Sequence, residues 1–155
     1  MPLTGRNAKR VIFGALNLRT GRRHLLARLH GRREDFCAFL RALRSAYGRR
    51  PLALLLDANS CHLALRSLDT ARRLKVHLLW LPTRSPHLNP MDHLWRDAKQ
   101  KVCANRQYAT IEDEVRRFLA HVWALSPRQA LRKAGVLAPG FWLRGAMSKN
   151  FCGPT

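Results

Sequence analysis

The sequence predicts a single α/β domain in which helices pack on a mixed sheet. The chain has 155 residues, 46% of them hydrophobic, which is enough for one domain with a core and too short for two. Two apolar stretches without polar alternation, residues 51–58 and 75–82, have the pattern of strands covered on both faces. Stretches with apolar residues at helical spacing lie around them. The resulting order, β-β-α-β-α-β-α-α, is typical of helices layered on a sheet.

The first half of the chain supplies most of the sheet. Residues 10–18 and 22–30 are short strand-like runs joined by a turn that ends in Gly21, so we expect a hairpin. Residues 34–47 carry aromatic residues and leucines at helical spacing and predict a helix. A further helix is expected over residues 62–74. It would form a right-handed crossover between the two covered strands, which are therefore expected to be parallel.

The second half is predicted to be helical. Asn89 is a suitable N-cap and Pro90 suits the first position of the helix that follows. Another helix opens at Thr110, and residues 126–135 form a short capped helix. The remaining tail gives no prediction. We expect the fold to comprise residues 1–125, with residues 126–155 forming a carboxyl-terminal helix and an irregular tail.

The charge of the chain points to a polyanionic partner. Its 29 Lys and Arg against 9 Asp and Glu give a formal net charge of +20, and such a field attracts nucleic acid. Arginine outnumbers lysine 23 to 6, which suits bidentate phosphate contacts. A genome rich in G and C would also favour arginine codons, but codon bias does not account for the excess of positive charge. We therefore expect a nucleic-acid-binding protein.

Membrane and disulfide classes are disfavoured. No segment approaches the ~18 apolar residues of a membrane span. Cysteines occur at four scattered positions without a close pair, which is not the spacing of a zinc ribbon or a disulfide scaffold. We expect a reduced cytoplasmic protein with no membrane partner.

Two acids are candidates for chemistry. Asp57 follows Leu54–Leu56 at the carboxyl end of a predicted strand, where open α/β sheets present their ligands. A bare carboxylate there must be hydrogen-bonded, neutralised or bound to a cation. Asp92 is the third residue of the helix that begins at Pro90. Two carboxylates at one sheet edge of a basic chain predict a divalent cation acting on phosphate, since Mg²⁺ prefers oxygen ligands and paired metals assist phosphodiester cleavage.

Each candidate also has a purely structural interpretation. Asp57 could be a strand-end acid bound to loop amides, and Asp92 could be a cap partner favoured by the helix dipole. His62 is either a phosphate contact or a neutral surface histidine. Trp95 suits the core better than a base-stacking platform.

Three segments resemble DDE transposases, in particular the bacterial insertion-sequence relatives of mariner. They are LLLDANSCH (54–62), HLLWLPTRSPHLNPMDHLWRDAKQKVCANRQY (77–108) and TIEDEVRRFLAHV (110–122). The family has an Asp closing a central strand, then a hydrophobic strand and the signature LP-x-x-SP-x-LNP-[IM]-[ED]-x-x-W, whose acid is the third catalytic ligand. The likeness extends from about residue 8 to residue 125. Between Asp57 and Asp92 lie 34 residues, which is the usual interval of the family.

The resemblance implies a ribonuclease-H-like fold, two Mg²⁺ or Mn²⁺ ions, and DNA strand cleavage and transfer at transposon ends. Asp57 matches the second catalytic acid of the family. Asp92 matches the third, which is commonly Glu and is Asp in mariner itself. His62 falls where the family commonly has His. Ala58 departs from the family, which often has Asn directly after the second acid.

The first catalytic Asp of the family has no counterpart. In the family it precedes the hairpin, but this sequence has no Asp or Glu before Glu34. Glu34 and Asp35 belong to the start of the following helix and are not substitutes. The helix-turn-helix that would recognise transposon ends is also absent. We expect a ribonuclease-H-like domain lacking the first catalytic strand, inactive alone unless an amino-terminal transposase half or a homodimer completes it.

Three functions remain open at this point. They are a metal-dependent DNA nuclease and strand transferase, a non-enzymatic basic remnant that binds DNA or regulates intact transposase, and a general nucleic-acid-binding protein with structural acids. We expect DNA phosphates to contact Arg84 in the TRSP loop, Arg96 and Lys99 beside Asp92, and His62. Such contacts carry no sequence information and weaken with salt. The expected location is the bacterial cytoplasm, at the nucleoid.

Overall fold

The structure, a computed structural model, describes residues 1–5 and 8–149. Within this part of the chain it contains five strands and seven α-helices, with one 3₁₀ turn and one π-helix. In chain order these are β1 Pro2–Gly5, β2 Ala8–Leu16, β3 Arg23–Arg28, α1 Arg33–Tyr47, β4 Leu52–Leu56, α2 Ser60–Leu63, α3 Leu65–Arg73, β5 Val76–Trp80, the 3₁₀ turn Pro86–Leu88, α4 Pro90–Ala98, the π-helix Lys99–Cys103, α5 Ile111–Ala124, α6 Pro127–Lys133 and α7 Arg144–Lys149.

The strands form two hydrogen-bonded groups. The predicted hairpin is confirmed, because β2 and β3 pair antiparallel with Phe13 opposite Leu26. The predicted parallel pair is also confirmed, with Leu54 of β4 opposite Leu78 of β5. Among the described residues no ladder joins these two groups. The combination of antiparallel and parallel strands was therefore predictable from the sequence. The separation of these strands into two hydrogen-bonded groups was not.

Strand β1 was not predicted from the sequence. It pairs antiparallel with β2, on the edge opposite β3. Its sequence, PLTG, contains no acid. The segment that precedes the hairpin is therefore a strand, but it carries no carboxylate.

Alternation along β2 builds two cores on opposite faces of the hairpin. Ile12 lies in a cluster with Trp95 of α4 and Phe118 of α5. The next residue, Phe13, lies in a second cluster with Phe36 of α1, at a ring-centroid distance of 6.2 Å. Full burial of such side chains stabilises a fold by about 1.5–3 kcal/mol each. The hairpin thus lies between α1 on one side and α4 with α5 on the other.

Gly14 is required where α4 crosses the hairpin. A Cβ atom there would lie 2.3 Å from Cζ2 of Trp95, which is far inside van der Waals contact. Trp95 itself is 9% exposed, and its ring centroid lies 5.7 Å from that of Phe118. The interpretation of Trp95 as a core residue is confirmed.

The expectation that the strand over residues 75–82 is covered on both faces is wrong. Val76 is buried, and Leu78 packs against the cluster formed with α1 and α3. Leu79 and Trp80 are 45% and 39% exposed. The run is apolar throughout, but in the described part of the chain helices cover only one of its faces.

Two predicted helices are interrupted. The expected helix over residues 62–74 is two helices, because Ala64 takes an extended ψ of 137°. The buried Ser67 joins them by donating to the Cys61 carbonyl at 2.6 Å. Helix α4 continues as a π-helix from Lys99, a form found mostly as single turns at functional sites.

The carboxyl-terminal helices extend the same core. Thr110 caps α5 and Ser126 forms a capping box at the start of α6, as predicted. Ala130 and Leu131 of α6 are buried in the cluster that contains α4 and α5. Residues beyond 125 therefore pack against the preceding fold. Helix α7 lies in the tail, for which no secondary structure was predicted.

The described cysteines are free thiols. Cys37 is buried, and Cys61 and Cys103 are half-buried. The remaining one, Cys152, lies outside the described residues. Among the residues that the structure describes, no helix is long and apolar enough to cross a membrane.

Candidate metal centre

Asp57 follows directly after β4 and presents its carboxylate to solvent. Its backbone is held tightly, since the Asp57 carbonyl accepts hydrogen bonds from the Asn59 amide and from His62 Nδ1, both at 2.9 Å. Its side chain is 62% exposed, and among the described residues no loop amide donates to its carboxylate. That part of the chain therefore gives no support to a strand-end acid bound to loop amides. The strand end orients a carboxylate that is available to a cation.

His62 has a local role that the sequence did not indicate. Its Nδ1 donates to the Asp57 carbonyl and lies 3.8 Å from Oδ1 of the same residue. Its ring packs on Phe36 of α1 at a centroid distance of 4.4 Å, and the side chain is only 15% exposed. His62 thus anchors the Asp57 loop to α1. Its contact with DNA phosphate stays a prediction.

Asp92 lies in the first turn of α4, as predicted. Asn89 caps this helix by accepting from the Met91 amide at 3.0 Å, and Pro90 occupies the first position. The Asp92 carboxylate is 39% exposed and lies 3.3 Å from Arg96, one turn further along the helix. It does not close a capping box on Asn89. Its place in the first turn also agrees with a structural acid favoured by the helix dipole, so its role as a ligand stays a prediction.

Asp57 and Asp92 both affect the pKa of the Met1 amino group, next to β1. This amino group donates a hydrogen bond to the Ile12 carbonyl at 2.7 Å. Burial lowers the pKa of this amino group and Lys99 lowers it further, whereas Asp57 and Asp92 both oppose that shift. The two carboxylates and Lys99 therefore all contribute to the electrostatic potential at this amino group, although 34 residues separate the acids in the sequence.

Three of the four predicted phosphate contacts are exposed arginine or lysine side chains. Arg96 is exposed and paired with Asp92, and Lys99 is exposed at the start of the π-helix. Arg84 is exposed in the loop before the 3₁₀ turn and adopts a φ of 60°. L-residues rarely adopt this left-handed conformation. No contact in the described residues links Arg84 to either acid.

Among the described residues, no third acid forms a possible metal site with Asp57 and Asp92. Asp35 accepts a hydrogen bond from the Arg32 amide at 3.1 Å and so caps α1, while Glu34 pairs with Arg33 and Arg66. Both acids belong to the helix start, as expected. In residues 1–5 and 8–149, no three His, Cys, Asp or Glu side chains are close enough together to hold a metal ion.

A partly exposed polar cluster on α4, α5 and α6 was missed by the sequence analysis. Asp97 of α4 lies 2.9 Å from His121 of α5 and 2.8 Å from Lys133 of α6. The three residues are far apart in sequence, so no local pattern predicted the cluster. The only signal was the position of Asp97 five residues after Asp92 in α4, which puts the two acids on different faces of the helix. Asp97 ties the three helices together and is not exposed to a cation.

Comparisons with known proteins show the family of this chain. The family model described as DDE superfamily endonuclease matches residues 1–114. The "Transposable element Tc1 transposase" of Caenorhabditis elegans is 31% identical over 77 residues, which are 50% of this chain and 28% of the relative. The chain therefore spans little more than a quarter of the length of that relative.

Two solved structures share the fold. One is the catalytic domain of Mos1 mariner transposase, with a TM-score of 0.68 and 16% identity, over 86% of this chain and 72% of that chain. The other is the Mos1 transposase catalytic domain with raltegravir and Mg, with a TM-score of 0.67 and 18% identity, over 92% of this chain and 77% of that chain. The predicted ribonuclease-H-like fold is confirmed.

The fold is of the ribonuclease-H-like class. Within that class, this chain belongs to the DDE superfamily endonuclease family. The family resemblance drawn from the sequence motifs is confirmed.

Proposed function

We propose that this chain supplies the second and third acids of a metal-dependent site for DNA strand cleavage and transfer in transposition. The observation that carries the proposal is the exposed carboxylate of Asp57 after β4 and that of Asp92 in the first turn of α4, in a chain of the DDE superfamily endonuclease family. The substrates would be transposon ends and target DNA. The place of action would be the bacterial cytoplasm, at the nucleoid.

The residues present fit one divalent cation, Mg²⁺ or Mn²⁺. Asp57 and Asp92 are both exposed enough to be ligands, and Mg²⁺ usually takes one or two carboxylates and completes its shell with water and phosphate oxygens. When bound, such an ion supplies an activated water or hydroxyl and stabilises the charge on the phosphate. Two ions would require a further bridging carboxylate, which the described residues do not provide.

Other residues of the chain prepare this site. His62 holds the Asp57 backbone, and Asn89 fixes the first turn of α4. Arg96 neutralises Asp92 in the absence of a cation. Lys99 and Arg84 are free to bind DNA phosphates, whose contacts position the duplex without reading its sequence.

We infer that the 155 residues alone do not cleave DNA. Two metal ions carry a charge of +4, and the sequence offers no acid before Glu34 to bridge them. An amino-terminal transposase half, or a second copy in a homodimer, would have to supply the missing carboxylate. In the described residues β1 and β4 each pair with a single neighbour, and an unpaired strand edge is where an added strand can bind.

Metal binding tests the proposal directly. We expect the chain to bind about one Mn²⁺ weakly, as measured by the electron paramagnetic resonance signal of free Mn²⁺, and Asp57→Asn or Asp92→Asn to abolish that binding. Asp69→Asn is the matched control, because Asp69 is an acid of α3 engaged with Arg72 and Arg73. Equal Mn²⁺ binding by the wild type and Asp57→Asn would rule out the proposed centre.

Nicking of supercoiled DNA in Mn²⁺ tests the inferred inactivity. We expect no nicking by the chain alone and salt-sensitive DNA binding throughout. Nicking that disappears in Asp57→Asn would show that two acids suffice and would overturn this part of the proposal.

The net charge favours one alternative function. A chain of charge +20 without a complete acid set could act as a non-enzymatic DNA-binding regulator that competes with intact transposase. This alternative predicts DNA binding that neither Mn²⁺ nor Asp57→Asn changes.

A further inference from the structure

A second concave site lies far from the paired acids. Phe36, near the start of α1, contacts His62 beside Asp57, whereas Tyr47 at the end of α1 lines a cavity of about 440 Å³. At 1.5 Å per residue, the helix between Phe36 and Tyr47 spans roughly 16 Å. The cavity, formed by the hairpin turn and the ends of α1 and α5, is therefore distinct from the candidate metal centre.

Arginines dominate the wall of this cavity. Arg22, Arg23 and Arg50 line it, and no acid does. Arg22 and Arg50 are exposed, and neither guanidinium group has an acceptor among the described residues. Two unpaired guanidinium groups at a concave surface suit the planar, bidentate recognition of phosphate.

Arg23 forms the rigid base of the wall. It is 6% exposed and donates to the carbonyls of Gly21 at 2.8 Å and of Trp123 at 3.2 Å. Its Nε is buried without a partner in the described residues. Gly21 also closes the turn tightly, because a Cβ atom there would lie 2.2 Å from the Pro127 carbonyl oxygen. The wall is thus preorganised, rich in donors and short of acceptors.

Aromatic and amide groups complete the cavity. Trp123 lines it, carries the Arg23 guanidinium 6.0 Å from its ring centroid and remains 50% exposed. Tyr47 is fixed by two contacts of its hydroxyl, with Asn17 Nδ2 at 3.1 Å and with His24 Nε2 at 2.9 Å. The Asn17 side chain also accepts from the Arg19 amide at 2.9 Å.

We propose that this cavity binds a nucleoside phosphate, with its phosphate between Arg22 and Arg50 and its base stacked on Trp123. The volume is within the range of small-ligand sites, roughly 300–1,000 Å³. Aromatic stacking and cationic contacts are the usual means of binding single nucleotide units. The nucleotide could be free or part of a single strand, and the two sources share this chemistry.

The test compares two charge-matched double variants of the full chain. Arg22→Gln with Arg50→Gln alters the cavity, whereas Arg41→Gln with Arg106→Gln removes two exposed arginines elsewhere. We expect the cavity variant to bind dAMP at least tenfold more weakly in titration calorimetry. The control should change the affinity less than twofold. Far-ultraviolet circular dichroism confirms that both variants are folded.

Trp123→Leu separates stacking from charge. It should weaken dAMP binding at least fivefold and leave the affinity for inorganic phosphate unchanged. An equal loss for both ligands would overturn the stacking assignment.

A labelled ten-nucleotide oligodeoxyadenylate distinguishes the two sources. Saturable dAMP binding that only the cavity variant weakens supports a free nucleotide. Strand binding that only the cavity variant weakens, without saturable dAMP binding, supports a nucleotide within a strand. Equal losses in both double variants for both ligands would mean diffuse charge attraction and would overturn the proposal. Because Asp57→Asn should not affect this cavity, failure here is independent of the metal centre.

Discussion

Asp57 and Asp97 are both carboxylates in a strongly basic chain, yet their surroundings give them different roles. Asp57 is 62% exposed, and its carboxylate lies 3.8 Å from His62 Nδ1. Asp97 is 17% exposed and contacts both His121 and Lys133. Burial acts to raise the pKa of Asp97, but hydrogen bonds from His121 and Lys133 outweigh burial, so that the pKa is lowered. A carboxylate that is engaged in this way stabilises the fold and is not available to a metal ion.

We predict that Asp97→Asn destabilises the protein by about 1–2 kcal/mol at pH 7, as expected for loss of charge-assisted hydrogen bonds that are largely shielded from water. Because the folded pKa of Asp97 lies below its ordinary value, its stabilisation is complete above that ordinary value, roughly 4. It is lost as the pH falls through the folded pKa. Urea unfolding at several pH values should therefore show the difference between variant and wild type narrowing in acid.

The control for this prediction is Asp69→Asn. Asp69 pairs with Arg72 and Arg73 on the surface of α3, where ion pairs contribute roughly 0–1 kcal/mol. A difference for Asp97→Asn that stays constant at every pH would contradict the assigned hydrogen bonds.

At the scale of elements, the start of α4 determines where the third family acid lies. Asn89 caps the helix, Pro90 opens it and Asp92 falls in the first turn. Ser126 caps α6 in the same manner, by accepting from the Gln129 amide at 3.1 Å, but no candidate ligand lies in that helix. The two caps therefore form a natural pair for separating stability from site geometry.

We predict that Asn89→Ala and Ser126→Ala each destabilise the protein by about 1 kcal/mol, which is typical of a lost N-cap. Only Asn89→Ala should also weaken Mn²⁺ binding, because it loosens the turn that carries Asp92. Thermal unfolding and Mn²⁺ titration of the same samples measure both effects. Equal losses of Mn²⁺ affinity in the two variants would show that the cap acts through overall stability alone.

At the scale of the whole molecule, charge dominates the expected behaviour. A net charge of +20 in 155 residues disfavours the compact state through self-repulsion and attracts polyanions. Among the described residues, Arg84 in the loop before the 3₁₀ turn and Arg22 at the cavity beside the hairpin turn have no acidic partner. Bound nucleic acid would therefore neutralise the positive charge of the chain and, by reducing its self-repulsion, stabilise the folded state.

We predict that DNA binding by the chain falls by about a factor of 10³ or more between 50 mM and 200 mM salt, as expected for roughly six or more phosphate contacts. The affinity should be insensitive to DNA sequence, since phosphate contacts carry no base information. Fluorescence anisotropy with two unrelated duplexes across the salt series measures both properties. Salt-independent binding would contradict an electrostatic interface.

Local patterns predicted much of the fold and part of the site. The hairpin, the parallel strand pair, the caps at Asn89 and Ser126, and the placement of Asp57 and Asp92 all depend on residues close in sequence. The exposed face of β5 was not predictable, because an apolar run does not record which of its faces a helix will cover. His62 was identified as a candidate, but its hydrogen bond to the Asp57 carbonyl depends on how α2 folds back towards the strand end.

The sequence by itself determined which chemistry is present, because carboxylates, arginines and helix starts are properties of residues and their near neighbours. Only the tertiary structure decided which of these groups meet. It joined Asp97 to His121 and Lys133 and gathered Arg22, Arg50 and Trp123 at one cavity. The physical reason is that these contacts arise from the packing of helices on strands, and no local pattern encodes the distance between residues that are far apart along the chain.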